Sequence, residues 1–311
     1  MYDAAIIGSG PAGLTAAIYS CRAELKTAVI EGISAGGQLM ITSTVDNFPA
    51  FPEGIQGPEL MDRIRKQATG FGAEIVSGDV KTVDLDSKPF VLTIGSNTIE
   101  ARSIIIATGS SSRWLGLESE TALRGKGVSA CATCDGFFFT GKEIAVVGGG
   151  DAAIEEATFL TRFAKKVTMI HRRDELRAGK AMQKIAFDNE KITFAWDSVV
   201  EDILGVEENK VTAVRLKNVK TGELSDLPVE GVFIAIGHDP ATKIFEGKIE
   251  LDKHRYIVTK ENTKTSVPGV FAAGDVQDPR YRQAISAAGS GCMAAIDALK
   301  FLQGEDVSPG W

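Results

Sequence analysis

Two glycine turns, Gly8-Ser9-Gly10-Pro11-Ala12-Gly13 and Gly148-Gly149-Gly150-Asp151-Ala152-Ala153, punctuate the two halves of this chain. Each follows a short apolar run, Ala4-Ala5-Ile6-Ile7 in one case and Ile144-Ala145-Val146-Val147 in the other. Each opens a stretch of helical character. Strand, glycine turn and helix make the first half of a βαβ unit, with the strand buried in a parallel sheet. A second strand follows both times: Ala28-Val29-Ile30 before Glu31, and Val167-Thr168-Met169-Ile170 before His171. Two later runs, 104–109 and 232–237, also match in pattern, and each is expected to close its domain as the last strand. Such a chain is an internal duplication of a nucleotide-binding domain, not a short-period repeat.

The second copy closes near Gly237, yet the segment 238–311 remains. It holds Gly269-Val270-Phe271-Ala272-Ala273-Gly274-Asp275, a strand ending in another glycine turn. The tail is too short for a third comparable domain, so it is expected to return and complete the first. The chain length of 311 residues suits about two domains at roughly 150 residues each. The expected fold is α/β, with two Rossmann-like dinucleotide-binding domains, the second inserted in the first. The predicted boundaries are 1–113, 114–243 and 244–311. The chain then crosses between domains near 111–117 and 238–245, where Asp239, Pro240 and Thr242 suit a linker.

In the first turn Gly8 permits the sharp bend, Gly10 lets backbone approach a pyrophosphate, and Gly13 allows close packing of helix on strand. The helix N-terminus adds free N–H groups and positive potential for phosphate. Glu31 stands about 20 residues beyond this turn, where an acid accepts the hydroxyls of an unphosphorylated ribose. The equivalent position after Gly148 is His171, followed by Arg172 and Arg173, with Arg177 beyond. An acid repels a 2′-phosphate, whereas arginine pairs with it through charge-assisted bonds. The first site is therefore expected to take a plain ribose and the second a 2′-phosphate, NADPH rather than NADH. The plainer alternative for the arginines is a solvated charged face.

Cys131-Ala132-Thr133-Cys134, followed by Asp135, lies between the two turns and shortly ahead of the second. Zinc, a structural thiol pair and a redox disulfide are the three uses of such a pair. Zinc asks for four ligands, and no second CxxC exists while the three histidines stand far off in sequence. The redox use explains more, because a dithiol beside two redox nucleotides gives electrons a route from nicotinamide to flavin to disulfide. A CxxC setting also lowers a thiol pKa toward about 7 or below. The expected cofactors are FAD at the first turn and NADPH at the second. Asp135 is either a proton shuttle for the pair or a simple turn acid before Gly136.

The net charge of −7 speaks against nonspecific nucleic-acid binding. Glycines and Pro11 interrupt the apolar residues 4–19, and no basic segment precedes them, so no signal peptide is expected. No unbroken apolar run is long enough to mark a membrane span. Four cysteines do not make a secreted disulfide framework and fit a reducing cytoplasm with one active dithiol. Cys21 and Cys292 are expected to behave as small buried hydrophobes. Phe137-Phe138-Phe139 is expected to pack as core.

With these residues in view, the chain resembles the bacterial-type, low-molecular-weight thioredoxin reductases over nearly its whole length. The resemblance rests on Gly8 to Gly13, Gly36-Gly37-Gln38-Leu39, Cys131 to Gly136, Gly148 to Glu156, and His171-Arg172-Arg173-Asp174 with Arg177. It continues through Gly237-His238, Gly274-Asp275-Val276 and Tyr281-Arg282-Gln283-Ala284. It implies that FAD is held by Gly8, Gly10, Pro11, Ala12 and Gly13, by Glu31, Gly32, Gly37, Gln38, Leu39, Asn47 and Gly109, and by Gly274, Asp275, Arg282, Gln283 and Ala284. It implies NADPH contacts at Gly148, Gly150, Asp151, Ala152, His171, Arg172, Arg173 and Arg177. By the same resemblance Cys134 faces the flavin, Cys131 attacks thioredoxin, and Asp135 donates a proton. It further implies a homodimer whose domains rotate against one another during turnover. Two departures are minor: Asp151 stands where asparagine is frequent, and Phe48 where other aromatics occur.

Two other functions share parts of this pattern. One is a related flavoenzyme serving a different dithiol partner or ferredoxin. A peroxiredoxin-reducing relative carries an extra N-terminal region, expected to be absent here because Gly8 stands at the start. A ferredoxin-dependent relative loses the glycine and arginine signature that Gly148, Gly150 and Arg172-Arg173 keep. The other is a non-catalytic redox sensor, which needs only the two sites and a dithiol.

Overall fold

The computed structural model describes residues 1–42 and 44–305. The chain divides into two compact units. The first joins Met1–Ser111 to the segment from Asp239 onward, and the second is Ser112–His238.

The first unit is built on a seven-stranded sheet. Its parallel part runs Glu74–Val76, Thr27–Ile30, Tyr2–Ile7, Asn97–Ile106 and Val270–Ala272. The antiparallel hairpin Val80–Asp84 and Phe90–Ile94 pairs along the first half of Asn97–Ile106. The strand Val270–Ala272 comes from the return segment and lies beside Ile104–Ile106, so the tail does complete the first sheet. Strand side chains alternate between faces. Ala5, Ile7, Ile104, Ile106 and Ala272 enter one core, while Ile6, Val29, Ile105 and Phe271 enter the other. Both faces are covered, which is why these strands read as unbroken apolar runs.

The second unit repeats the plan with five parallel strands. Their spatial order is Val128–Ser129, Gly231–Ile234, Glu143–Val147, Lys166–Ile170 and Ile192–Ala195. An antiparallel sheet of Ser198–Leu204, Ala213–Asn218 and Leu224–Pro228 is added to it. The runs at 104–106 and 231–234 are interior strands of their sheets. Val270–Ala272 lies outside the first and Val128–Ser129 outside the second. Order along the chain is not order in space, because crossover helices carry the chain past strands already laid down.

The helix Pro11–Arg22 begins where extended Gly10 hands over to Pro11 at its first position. That placement suits proline, whose missing N–H is not needed there. The long helix Ala284–Gln303 starts with a reciprocal Gln283–Ser286 capping box and ends at left-handed Gly304. By length and composition it is apolar enough to cross a membrane, with a mean hydropathy of 1.3. Its small residues Ala287, Ala294, Ala295 and Ala298 belong to the core beneath Pro11–Arg22. Gly291 meets that helix so closely that a Cβ would stand 2.1 Å from the Ala12 carbonyl oxygen.

The two crossings pair as a short ribbon of Ser110–Ser112 with His238–Pro240. Just beyond the first crossing, the fully buried Glu120 carboxylate accepts the N–H groups of Leu115 and Gly116 at 2.9 and 3.0 Å. This pins the entering chain to the second unit.

The glycine contacts separate two substitutions on one helix. Gly291→Ala is expected to destabilise the fold by roughly 1–3 kcal/mol through overpacking against backbone. Gly289→Ala meets nothing within 4 Å and is expected to stabilise the helix by up to about 1 kcal/mol. Urea midpoints measure both, and a Gly291→Ala midpoint at or above wild type contradicts the packing described.

Candidate active site

At the first turn Gly8 has φ of 113°, and a Cβ there would lie 2.2 Å from the Ala107 carbonyl oxygen. A Cβ on Gly13 would lie 1.9 Å from the Gly8 carbonyl oxygen. Gly10, between them, faces open space with nothing within 4 Å. Two glycines thus close the turn while the third leaves room for a ligand. No side chain caps this helix N-terminus and no acid occupies its first turn. Its N–H groups and positive potential stay available to a phosphate.

Several expected residues gather around this turn. The buried Ser9 hydroxyl accepts the Gly36 N–H at 2.9 Å, and Gly37 packs against Gly10. Gln38 and Leu39 follow in the short helix Gly37–Ile41. Ala12 sits under left-handed Gly274, whose N–H donates to Ser290 Oγ at 2.8 Å. Asn47 donates its side-chain amide to Gln283 Oε1 at 3.3 Å, joining segments 236 residues apart. Arg282 takes φ of 48° just before Ala284 opens the long helix. Left-handed Gly109 ends the segment after Asn97–Ile106, and its carbonyl accepts the Ala241 N–H at 3.0 Å.

At the end of Thr27–Ile30, the Glu31 carboxylate is paired with Arg65 and accepts the Ser77 hydroxyl at 3.1 Å. Left-handed Gly32 lies against Asp79, whose carboxylate accepts the Ile33 N–H at 3.0 Å. Sequence reasoning missed Ser9, Arg65, Ser77 and Asp79, which hold these loops in place. Ser9, inside the fingerprint, offered the one local signal among them. Asp275 is half-buried in the short helix Gly274–Val276. Burial pushes its carboxyl up to about 6; the neighbouring Asp278 charge adds to this and Arg282 opposes it.

The second turn has the same construction. A Cβ on Gly148 would lie 2.5 Å from the Ala235 carbonyl oxygen, and one on Gly150 would reach the Arg177 guanidinium at 3.3 Å. Gly149 accepts the Arg177 and Ala178 N–H groups at 2.8 and 3.1 Å, so the basic loop is tied to the glycine turn. Asp151, the departure from the frequent asparagine, accepts the Gly179 N–H at 2.9 Å. Ala152 is exposed beside it.

The His171 ring packs against Gly149. Burial lowers its pKa, a hydrogen bond with the Glu175 backbone opposes this, and the charges of Arg173, Arg172 and Arg177 lower it further. The three arginines are exposed and gather within electrostatic reach of one imidazole. That is a basic cluster at the end of the second strand, and Arg177 flanks the glycine turn itself.

Cys131 and Cys134 form a disulfide with Cα atoms 5.3 Å apart. Cys131 caps the four-residue helix Ala132–Asp135, and its N–H donates to Ser129 Oγ at 3.0 Å. Cys134 is exposed, while Cys131 and Asp135 are half-buried. Asp135 donates its N–H to the Cys131 carbonyl at 3.1 Å. Among the described residues, no group of three or more His, Cys, Asp or Glu side chains is placed to hold a metal ion.

Two expectations change here. Phe137 and Phe138 are 71 and 51 % exposed, and only Phe139 is buried, edge-on to Phe233. The cause is the 3-10 turn Gly136–Phe139, which sends three consecutive side chains in three directions. Cys21 and Cys292 are half-buried, not enclosed.

The residues fit two dinucleotides. Each turn offers a glycine cradle at an uncapped helix N-terminus, one with an acid beyond it and the other with arginines. Together with the disulfide, this fold and site define the flavoprotein oxidoreductases that move electrons between a nicotinamide and a dithiol. The family model for pyridine nucleotide-disulphide oxidoreductases matches residues 2–291. Over 300 residues the chain is 58% identical to a thioredoxin reductase of Streptomyces coelicolor, covering 96% of this chain and 92% of that one. It is 57% identical to one of Rickettsia conorii, covering 96% and 97%. The solved thioredoxin reductase from Giardia duodenalis superposes with a TM-score of 0.93 at 46% identity, covering 97% of this chain and 99% of that one. The chain belongs to the pyridine nucleotide-disulphide oxidoreductases, in their bacterial-type, low-molecular-weight thioredoxin reductase branch.

The half-buried Asp275 makes a pH-dependent contribution whose sign is fixed. Its folded pKa, about 6, lies above the ordinary 3.8. Its stabilising contribution is therefore full below pH 3.8 and lost as pH rises through about 6. In FAD-free protein, Asp275→Asn is expected to gain on wild type by up to roughly 3 kcal/mol of unfolding free energy between pH 4 and 7. Urea titrations at both pH values measure this, and a constant difference between the proteins rules it out.

Proposed function

We propose that this chain is an NADPH-dependent thioredoxin-disulfide reductase, carrying electrons from NADPH through FAD and the Cys131–Cys134 pair to oxidised thioredoxin. One observation carries the reading. The disulfide and the arginine-bearing fingerprint sit on one unit, and the acid-bearing fingerprint sits on the other. Bound FAD supplies a two-electron carrier that accepts hydride from NADPH and delivers an electron pair to the disulfide.

The chain's own residues supply binding and thiol chemistry. Gly8, Gly10 and Gly13 bring backbone to the FAD pyrophosphate, and Glu31 accepts from its ribose. Asn47, Gln283 and Asp275 line the same cofactor's site. Gly148, Gly150 and Ala152 do for NADPH what the first turn does for FAD. Arg172, Arg173 and Arg177 pair with its 2′-phosphate, and His171 packs against the turn at Gly149.

Once reduced, the Cys131 thiolate attacks a sulfur of the thioredoxin disulfide. A mixed disulfide forms, and one thioredoxin sulfur leaves as thiolate. Asp135 supplies the proton that turns this thiolate into a thiol. The Cys134 thiolate then attacks the Cys131 sulfur. The internal disulfide re-forms and the second thioredoxin sulfur leaves as thiolate, which takes its proton from solvent.

Both the dithiol and the NADPH site must reach one flavin held by the other unit. A reorientation about the paired crossings Ser110–Ser112 and His238–Pro240 serves both needs in turn. We infer a homodimer working in the cytoplasm, with no nucleic acid or membrane partner. The net charge and the cysteine usage support that setting.

Arg172→Ala is expected to raise KM for NADPH about 10- to 100-fold while leaving NADH nearly unchanged, the range for one charge-assisted contact. Steady-state kinetics with both nucleotides check this, and an undiminished preference for NADPH removes Arg172 from the phosphate site. Cys134→Ser is expected to abolish turnover with thioredoxin and leave Cys131 able to form a stable mixed disulfide. Non-reducing gel electrophoresis with thioredoxin reads that adduct. Absence of NADPH- and thioredoxin-dependent turnover in the wild-type protein overturns the proposed function.

A further inference from the structure

Glu31 is the acid that distinguishes the first nucleotide site from the second, and its side chain is only 9 % exposed. Two groups from elsewhere in the first unit engage it. Arg65 reaches over from the helix Gly57–Gly70, with Nη1 on Oε2 and Nη2 3.4 Å from Oε1. Ser77, just past the strand Glu74–Val76, donates its hydroxyl to Oε1 at 3.1 Å. An ionised carboxylate offers about four acceptor positions. Three are engaged here, which leaves room for about one more donor.

The engagement has two physical effects. A forked guanidinium holds a carboxylate in one orientation, which a single donor does not. It also balances the carboxylate charge, so Glu31 stands near a phosphate-bearing cofactor without net repulsion. The hydrogen bond with Glu31 raises the Arg65 pKa, so the guanidinium stays charged. Nothing in the fingerprint spacing marks Arg65, which lies 34 residues beyond Glu31.

We infer that Arg65 is a positioning residue for FAD recognition, holding the Glu31 carboxylate so that its remaining acceptor position meets a ribose hydroxyl. This rests on the reading of Glu31 as the ribose acceptor at the FAD site.

The test follows FAD release from full-length holoenzyme on dilution, with free FAD separated by ultrafiltration. Glu31→Gln and Arg65→Gln are each expected to weaken FAD retention by about tenfold, the size of one charge-assisted hydrogen bond. Arg65→Lys, which keeps the charge but loses the fork, is expected to fall between Arg65→Gln and wild type. In a Glu31→Gln background, Arg65→Gln is expected to add little, because the two residues act as one unit.

Unchanged FAD retention in Arg65→Gln, alongside weakened retention in Glu31→Gln, overturns the positioning role and leaves the ribose reading standing. Unchanged retention in Glu31→Gln overturns both. A merely structural role predicts losses that add in the double variant and follow a fall in thermal midpoint, which also overturns the inference. Should Arg65→Gln fail to fold, Arg65→Lys and Ser77→Ala carry the same comparison.

Discussion

The contact on which most of this molecule depends is the approach of Gly13 to the Gly8 carbonyl, too close for any side chain between them. It sets the helix Pro11–Arg22 hard against the strand before it. The helix N-terminus is thereby aimed at the space above Gly10. On the other side, Gly291 brings the long helix Ala284–Gln303 onto Ala12 with equal closeness. A phosphate cradle and the packing of two helices are therefore one feature. A methyl group at Gly13 or Gly291 disturbs both, because the obstructing atoms are backbone and have little room to relax.

The second unit reuses this geometry with one change of chemistry. Where the first strand pair ends at a shielded acid, the second ends at a lowered-pKa imidazole within a group of arginines. The two positions are equivalent in the fold and opposite in charge. The difference between the two sites thus lies not in the scaffold but in a few side chains beyond the second strand. The supporting contacts differ accordingly. Glu31 is held by Arg65 and Ser77 from distant segments. The arginine loop is held by its own backbone, through Arg177 and Ala178 to Gly149.

Features with a local rule behind them were legible in the sequence. The buried strands show as apolar runs, the turns as glycines at fixed spacing, and the contrast between the two sites as the residues just past each second strand. The return of the tail was legible because the segment 238–311 is too short to make a third domain. Features that depend on distant partners were not. Asn47 meets Gln283 across 236 residues, and no pattern in either segment announces it. The burial that raises Asp275 comes from packing, not from its neighbours in sequence. Phe137 and Phe138 misled because hydrophobicity says only that a residue would gain from burial. The 3-10 geometry at Gly136–Phe139 leaves a single core-facing direction, and Phe139 takes it.

The insertion follows from how the crossings meet. Ser110–Ser112 and His238–Pro240 pair side by side, so the second unit leaves and rejoins the first at nearly one point. A domain whose ends lie together can be inserted into another with little strain on the host. The first sheet nevertheless needs Val270–Ala272, which is made only after the whole second unit. The host is therefore stabilised by a strand that the guest delays. Its other strands already form a sheet on both sides of Tyr2–Ile7, through Thr27–Ile30 and Asn97–Ile106. The late strand adds beside Ile104–Ile106 without displacing any pairing already made. An edge that accepts its last strand in this way lets duplication and insertion coexist in one chain. It also leaves a short two-stranded ribbon as the covalent link between the units.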